Sequence, residues 1–214
     1  MMRIALIHAL AHSVAPINEE LERRWPEAVR MNLLDDSLSA DLARNGAGLD
    51  ATMHQRFEDL TAYAERSGAN AILFTCSAFG PCIEAVAARR HHMPVLKPNE
   101  AMVADAVAHG GRVGLIASFG PTLESMPPEF PPGTELLTRL ADGALEALNQ
   151  GDTERHDTLV IEAAQWLASQ GCDVIALAQF SMARAQMAVH RGVGLPVLTT
   201  PGSAVRLLRH RLGA

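Results

Sequence analysis

Lysine is almost missing from this chain: Lys97 is the only one, and the other 17 basic residues are arginine. Chemistry that needs a lysine Schiff base therefore has a single candidate residue. Cysteine is scarce as well, and Cys76, Cys82 and Cys172 make an odd total. That count excludes a disulfide-rich secreted domain, and a reducing, cytoplasmic setting is the expectation. Nowhere do about 18 apolar residues run without interruption, so no membrane-spanning helix is expected. The apolar start, Met-Met-Arg-Ile-Ala-Leu-Ile-His, lacks the long h-region of a signal peptide. Positive charge is outweighed, with 18 basic against 24 acidic residues and a net charge of −6. A nucleic-acid partner usually requires the opposite balance. No Gly-x-Gly-x-x-Gly follows a strand and no phosphate-binding Gly-Lys-Ser/Thr loop exists, so no nucleotide cofactor is expected. Cys76 and Cys82 lack the spacing of a zinc pair, which leaves no metal site in the reading.

What the chain does have is apolar residues, 48% of its 214. That is enough for one large core or for two domains of about 100 residues each. Short apolar runs alternate with longer amphipathic stretches. The runs predict strands at 3–8, 28–33, 71–75, 94–96, 112–117, 135–139, 173–178 and 196–199. Helices are expected near 16–25, 50–67, 81–91, 99–109, 120–126, 153–169, 182–190 and 202–211. Several begin at a proline or a capping residue, as at Pro16, Asp50, Pro98–Asn99 and Pro201. Strand runs apolar on both faces, such as Ala71-Ile-Leu-Phe-Thr, suit parallel sheets covered by helices. The class is α/β.

An internal repeat refines this picture. Arg3-Ile-Ala-Leu-Ile-His-Ala lines up with Arg112-Val-Gly-Leu-Ile-Ala-Ser, 109 residues on. Asn70-Ala-Ile-Leu-Phe-Thr-Cys-Ser lines up with Cys172-Asp-Val-Ile-Ala-Leu-Ala-Gln-Phe, which pairs Cys76 with Gln179. Pro94-Val-Leu-Lys-Pro matches Pro196-Val-Leu-Thr-Thr-Pro. The expectation is two homologous halves, 1–109 and 110–214, each an open, mainly parallel four-stranded sheet flanked by helices. The C-terminal segment is a possible completion of the first half. Open parallel sheets bind ligands beyond the carboxyl ends of their strands, so an active cleft is expected between the halves.

Phe74-Thr-Cys-Ser-Ala-Phe-Gly-Pro-Cys-Ile-Glu carries the strongest chemical signal. Cys76 leaves an apolar strand just before a tight turn and a helix that starts near Pro81. The positive end of that helix should lower the thiol pKa and favour thiolate. Cys82 and Cys172 read as structural. His91-His92 and the acidic pairs Glu19-Glu20 and Asp35-Asp36 read as solvated or capping groups. Ser125-Met-Pro-Pro-Glu-Phe-Pro-Pro-Gly133 cannot form a long helix and is a candidate for a cleft rim.

These residues resemble the aspartate/glutamate/hydantoin racemase superfamily, which also contains maleate isomerases and arylmalonate decarboxylases. The resemblance rests on the duplicated halves, on Phe74-Thr-Cys-Ser77 after a strand, and on Ala117-Ser-Phe-Gly-Pro-Thr122. It implies cofactor-free chemistry at a carbon next to a carboxylate or other carbonyl of a small acid. One cysteine from each half would work on opposite faces of the substrate. Cys76 supplies the first, as acid, base or nucleophile. Ser13, Thr75, Ser77, Ser118, Thr122, Ser181 and Thr199 are expected as hydrogen-bonding groups for the substrate. Ala78, Phe79 and Phe180 should line the same loops. Lys97 could pair with a substrate carboxylate or simply be solvated. A homodimer is expected from base rates alone.

Gln179 breaks the pattern, standing where a racemase of this type has its second cysteine. Three readings stay open. His8, at the end of the first strand, could protonate the second face. Cys76 could act alone, as proton donor in a decarboxylase or as nucleophile in an isomerase. Or the fold could bind a small carboxylate without catalysis, with Gln179 as a hydrogen-bonding wall.

Overall fold

Eight apolar runs form eight strands in the computed structural model, which describes residues 1–45 and 48–214. In chain order they are β1 (Arg3–His8), β2 (Val29–Leu34), β3 (Ala71–Phe74), β4 (Val95–Leu96), β5 (Val113–Ala117), β6 (Leu136–Leu140), β7 (Val174–Leu177) and β8 (Val197–Thr199). They build two four-stranded sheets of identical order, β2-β1-β3-β4 and β6-β5-β7-β8. Every pairing is parallel. Parallel neighbours need a crossover, and the helices supply it. These are α1 (Val14–Arg24), α2 (Ser37–Asn45), α3 (Ala51–Arg66), α4 (Gly80–Ala87), α5 (Glu100–His109), α6 (Gly120–Ser125), α7 (Ala144–Asn149), α8 (Thr153–Ser169), α9 (Gln186–Val193) and α10 (Thr200–Leu212).

Two of these helices, α2 and α7, were not expected from the pattern. The expected helix at 182–190 is instead a 3-10 stretch over Phe180–Ala185 that runs into α9. Asp50 and Asp152 cap α3 and α8 by accepting from the N–H of Met53 at 2.8 Å and of Arg155 at 3.0 Å. Each such cap is worth about 1 kcal/mol.

The chain packs as two units, Met1–Pro98 with Ala204–Ala214, and Asn99–Ser203. In the first, Ala5, Ile7, Ile72 and Phe74 face a cluster of Phe57 and Ala64 from α3, Ile83 and Val86 from α4, and Phe79 from the turn before α4. Phe57 stacks on Phe74 with centroids 5.3 Å apart and meets Phe79, tilted, at 5.0 Å. In the second unit β5 and β7 bury both faces. Ile116, Ile175 and Leu177 pack against α8 and α9. Leu115, Ala117, Val174 and Ala176 pack against Met102, Val103 and Ala106 of α5. So α5, which the repeat assigns to the first half, packs with the second, and most of α10 packs with the first.

Candidate active site

In each sheet the chain runs outward from the central pair in opposite directions, from β1 to β2 and then from β3 to β4 in the first. The gap between the carboxyl ends of that central pair is the switch point where open parallel sheets hold ligands. His8 ends β1, and Thr75 and Cys76 follow β3, so these residues meet at the first sheet's switch point. Ser118 follows β5 and Gln179 follows β7, which puts them at the second sheet's switch point.

Cys76 is half-buried and extended (φ −127°, ψ 120°), leading into a 3-10 turn over Ser77–Phe79. Its thiol is pushed above the usual range, because burial penalises the thiolate. The Ala78 N–H and the Ser39 hydroxyl oppose that push by hydrogen-bonding the sulfur. The expected lowering is therefore corrected: desolvation outweighs the donors at the turn. Ser39, in α2, also reaches the Ala9 carbonyl at 3.2 Å. Behind the sulfur is a void of about 10 Å³ bounded by Ala9, Leu38, Phe79 and His8, room for one water at most. Cys82 and Cys172 are buried, the first fully.

His8 is fully buried, and a chain of amides fixes its protonation pattern. The Val14 carbonyl accepts from the Asn18 amide nitrogen at 2.7 Å, which sets the orientation of that amide. Asn18 and Asn32 then pair reciprocally, at 2.8 and 3.1 Å. The Asn32 oxygen is left facing His8 Nε2 at 3.0 Å, so Nε2 carries a hydrogen. Nδ1 meets the hydroxyls of Thr75 at 2.9 Å and Ser13 at 3.1 Å. Ser13 donates to the Leu10 carbonyl at 2.7 Å, which makes Thr75 the donor to Nδ1. Burial holds the His8 pKa below its ordinary value, and the Asn32 bond only partly offsets this. His8, one candidate for protonating the second face, thus has both ring nitrogens engaged within the fold. It props Thr75, next to Cys76.

In the second unit the Gln179 Oε1 accepts from the Ser118 N–H at 2.6 Å and from its hydroxyl at 3.1 Å. Several other expected binding residues serve the fold. Phe79 and Phe180 are buried, the former in the aromatic stack. Thr199 accepts from the Gly202 N–H at 3.2 Å inside the first turn of α10. Thr122 is buried in α6. Lys97 donates to Glu84 at 2.8 Å. Ser77 and Ser181 are half-buried and Ala78 is exposed, all in the turns after β3 and β7. Ser39, Asn18 and Asn32 had no signal in the sequence beyond being polar.

A concavity of about 590 Å³ lies elsewhere. Gly111, Arg112, Pro131, Gly133 and Asp173 line it at the amino ends of the second sheet's strands. The proline-rich segment, expected at a cleft rim, runs here because the chain must return to that end before β6 can lie parallel to β5. Its polar groups serve each other. Arg112 gives its N–H to Asp173 at 2.7 Å and its guanidinium to Glu135 and the Gln170 carbonyl. The candidate residues gather instead at the carboxyl ends of the strands.

A family model for Asp/Glu/hydantoin racemase matches residues 9–208. The chain belongs to that family. Solved racemase structures share its fold. An allantoin racemase from Klebsiella pneumoniae superposes with a TM-score of 0.70 at 18% identity, over 100% of this chain and 88% of the other. An aspartate racemase homologue from Pyrococcus horikoshii OT3 gives 0.74 at 15% identity, over 100% of both chains. A glutamate racemase from Bacillus anthracis gives 0.71 at 13% identity, over 98% of this chain and 82% of the other. A search of curated protein sequences found no significant match. No helix among the described residues is long and apolar enough to cross a membrane.

Proposed function

We propose that this racemase-family protein is a cofactor-independent enzyme acting at the carbon next to a carboxylate or carbonyl of a small acid. Cys76 is its acid, base or nucleophile. The observation that carries the reading is the placement of Cys76 at the β1/β3 switch point, with Ser39 and the Ala78 N–H on its sulfur. In the proton-transfer form, Cys76 thiolate takes the α-proton and the carbon's electron pair moves into an enediolate. The thiol or solvent then returns a proton to that carbon. The weak acidity of an α-proton next to a carboxylate makes fixed donors to the enediolate the main requirement.

A second reading is supported by one particular feature. Burial raises the Cys76 thiol pKa and so favours its protonated form, and a protonated thiol suits a decarboxylase. There a carbon–carbon bond breaks, CO₂ leaves, and the resulting enediolate carbon takes the thiol proton; solvent then reprotonates the sulfur. One donor suffices, which agrees with a glutamine at 179.

Incubating amino acids, hydroxy acids, malonates and hydantoins in D₂O tests both. Deuterium at the α-carbon with change of hand supports racemisation, and CO₂ release supports decarboxylation. Cys76→Ala should abolish either one and leave thermal unfolding intact. Near-full turnover in that variant would overturn the assignment. Ligand-raised melting temperature without turnover across the panel would instead mean a binding protein.

A further inference from the structure

We infer that Gln179 determines specificity in the second half, selecting a ligand oxygen that accepts hydrogen bonds, that of a carboxylate, and disfavouring an ammonium. The inference rests on the reading that this protein acts on a small acid, and on a fixed orientation of one amide. The Ser118 backbone N–H is a donor that cannot be reversed. At 2.6 Å it must face the oxygen of the Gln179 amide, because an NH₂ group there would set two donors against each other. The Ser118 hydroxyl adds a second donor to that oxygen at 3.1 Å. Gln179 Oε1 is therefore satisfied, and what the side chain has left to offer is its NH₂ group.

An NH₂ group is a pair of donors with no acceptor. It bonds a carboxylate oxygen and gives an ammonium nothing. The position suits a ligand contact, since Gln179 is half-buried at the carboxyl end of β7, beside the end of β5. Ser118 changes its part accordingly. Both of its donors are spent on Gln179, so it is a positioning residue rather than a direct ligand contact.

Isothermal titration of the whole chain with malonate tests this without turnover. In Gln179→Glu one carboxylate oxygen still accepts from Ser118, but an anion replaces the two N–H donors. Malonate should bind at least tenfold more weakly. Gln179→Met keeps the length and removes the donors without adding charge, and about a three- to tenfold loss is expected. Adding Ser118→Ala to Gln179→Met should cost nothing further, because a positioning residue acts only through what it positions. Unchanged affinity in Gln179→Glu, multiplied losses in the double variant, or no malonate binding by the wild type would each overturn the inference. Thermal unfolding confirms that each variant is folded. Gln179-dependent binding without deuterium exchange or CO₂ release would sink the catalytic reading alone.

Discussion

Removing the Ser39 hydroxyl should slow the chemistry of a sulfur it never bonds covalently. Ser39 hydrogen-bonds both the Cys76 sulfur and the Ala9 carbonyl, but a hydroxyl has one hydrogen. With Cys76 as thiol, that hydrogen rests on Ala9; with thiolate, it turns to the sulfur. A hydrogen bond to a charged group is worth about 2 kcal/mol and the neutral bond given up about 1 kcal/mol, for a net of about 1 kcal/mol. At 1.36 kcal/mol per tenfold change in an equilibrium, Ser39→Ala should raise the already elevated thiol pKa further. Below that pKa the thiolate fraction, and with it the rate of alkylation by iodoacetamide, should fall about fivefold. The assay is the alkylation rate against pH, with Cys76→Ala giving the background from Cys82 and Cys172. Ser39→Thr should restore the wild-type profile. An unshifted profile in Ser39→Ala would refute the switch, whatever happened to turnover.

Two further outcomes follow from groups described above. His8 has a folded pKa below its unfolded value, so between the two the unfolded chain binds more protons and stability is lost as pH falls below about 6.5. Denaturant titrations between pH 7.5 and 5 should show that loss, and His8→Gln should flatten it; an equal slope in the variant would refute the assignment. Gly111 has φ +76°, and a Cβ there would lie 2.3 Å from an Asp173 carboxylate oxygen, the one that holds the Arg112 N–H. Gly111→Ala should cost roughly 2–3 kcal/mol from strain and the displaced carboxylate, read as a lower denaturation midpoint.

The strands were legible because burial on both faces leaves an unbroken apolar run, as in Ala71–Phe74 and Val174–Leu177. Cys76 and Gln179 were legible because each comes just after one of those runs, and aligning the two runs pairs them. Helix α2 was not, since Ser-Leu-Ser-Ala-Asp-Leu-Ala-Arg-Asn holds few large apolar residues to mark a period. Ser39 was missed with it. The direction of the Cys76 shift escaped for a different reason. A helix end can be read from sequence, whereas desolvation depends on residues such as Ala9, Leu38 and Phe57, which distant segments bring to the same void as Cys76. Asn18 and Asn32 meet only because α1 lies along β2, and no local pattern announces that contact.

The exchange of terminal helices has a consequence for how the molecule comes into being. Residues 204–214 belong to the first unit, with Ala204, Val205 and Leu208 fully buried and Arg209 bonded to the Arg24 carbonyl at 2.8 Å. Domains usually complete themselves in the order in which they leave the ribosome. Here the unit that carries Cys76 begins first and is finished last, after every residue of its companion has been made. A ribosome that stops at residue 203 leaves the second unit whole and the thiol's own unit unclosed.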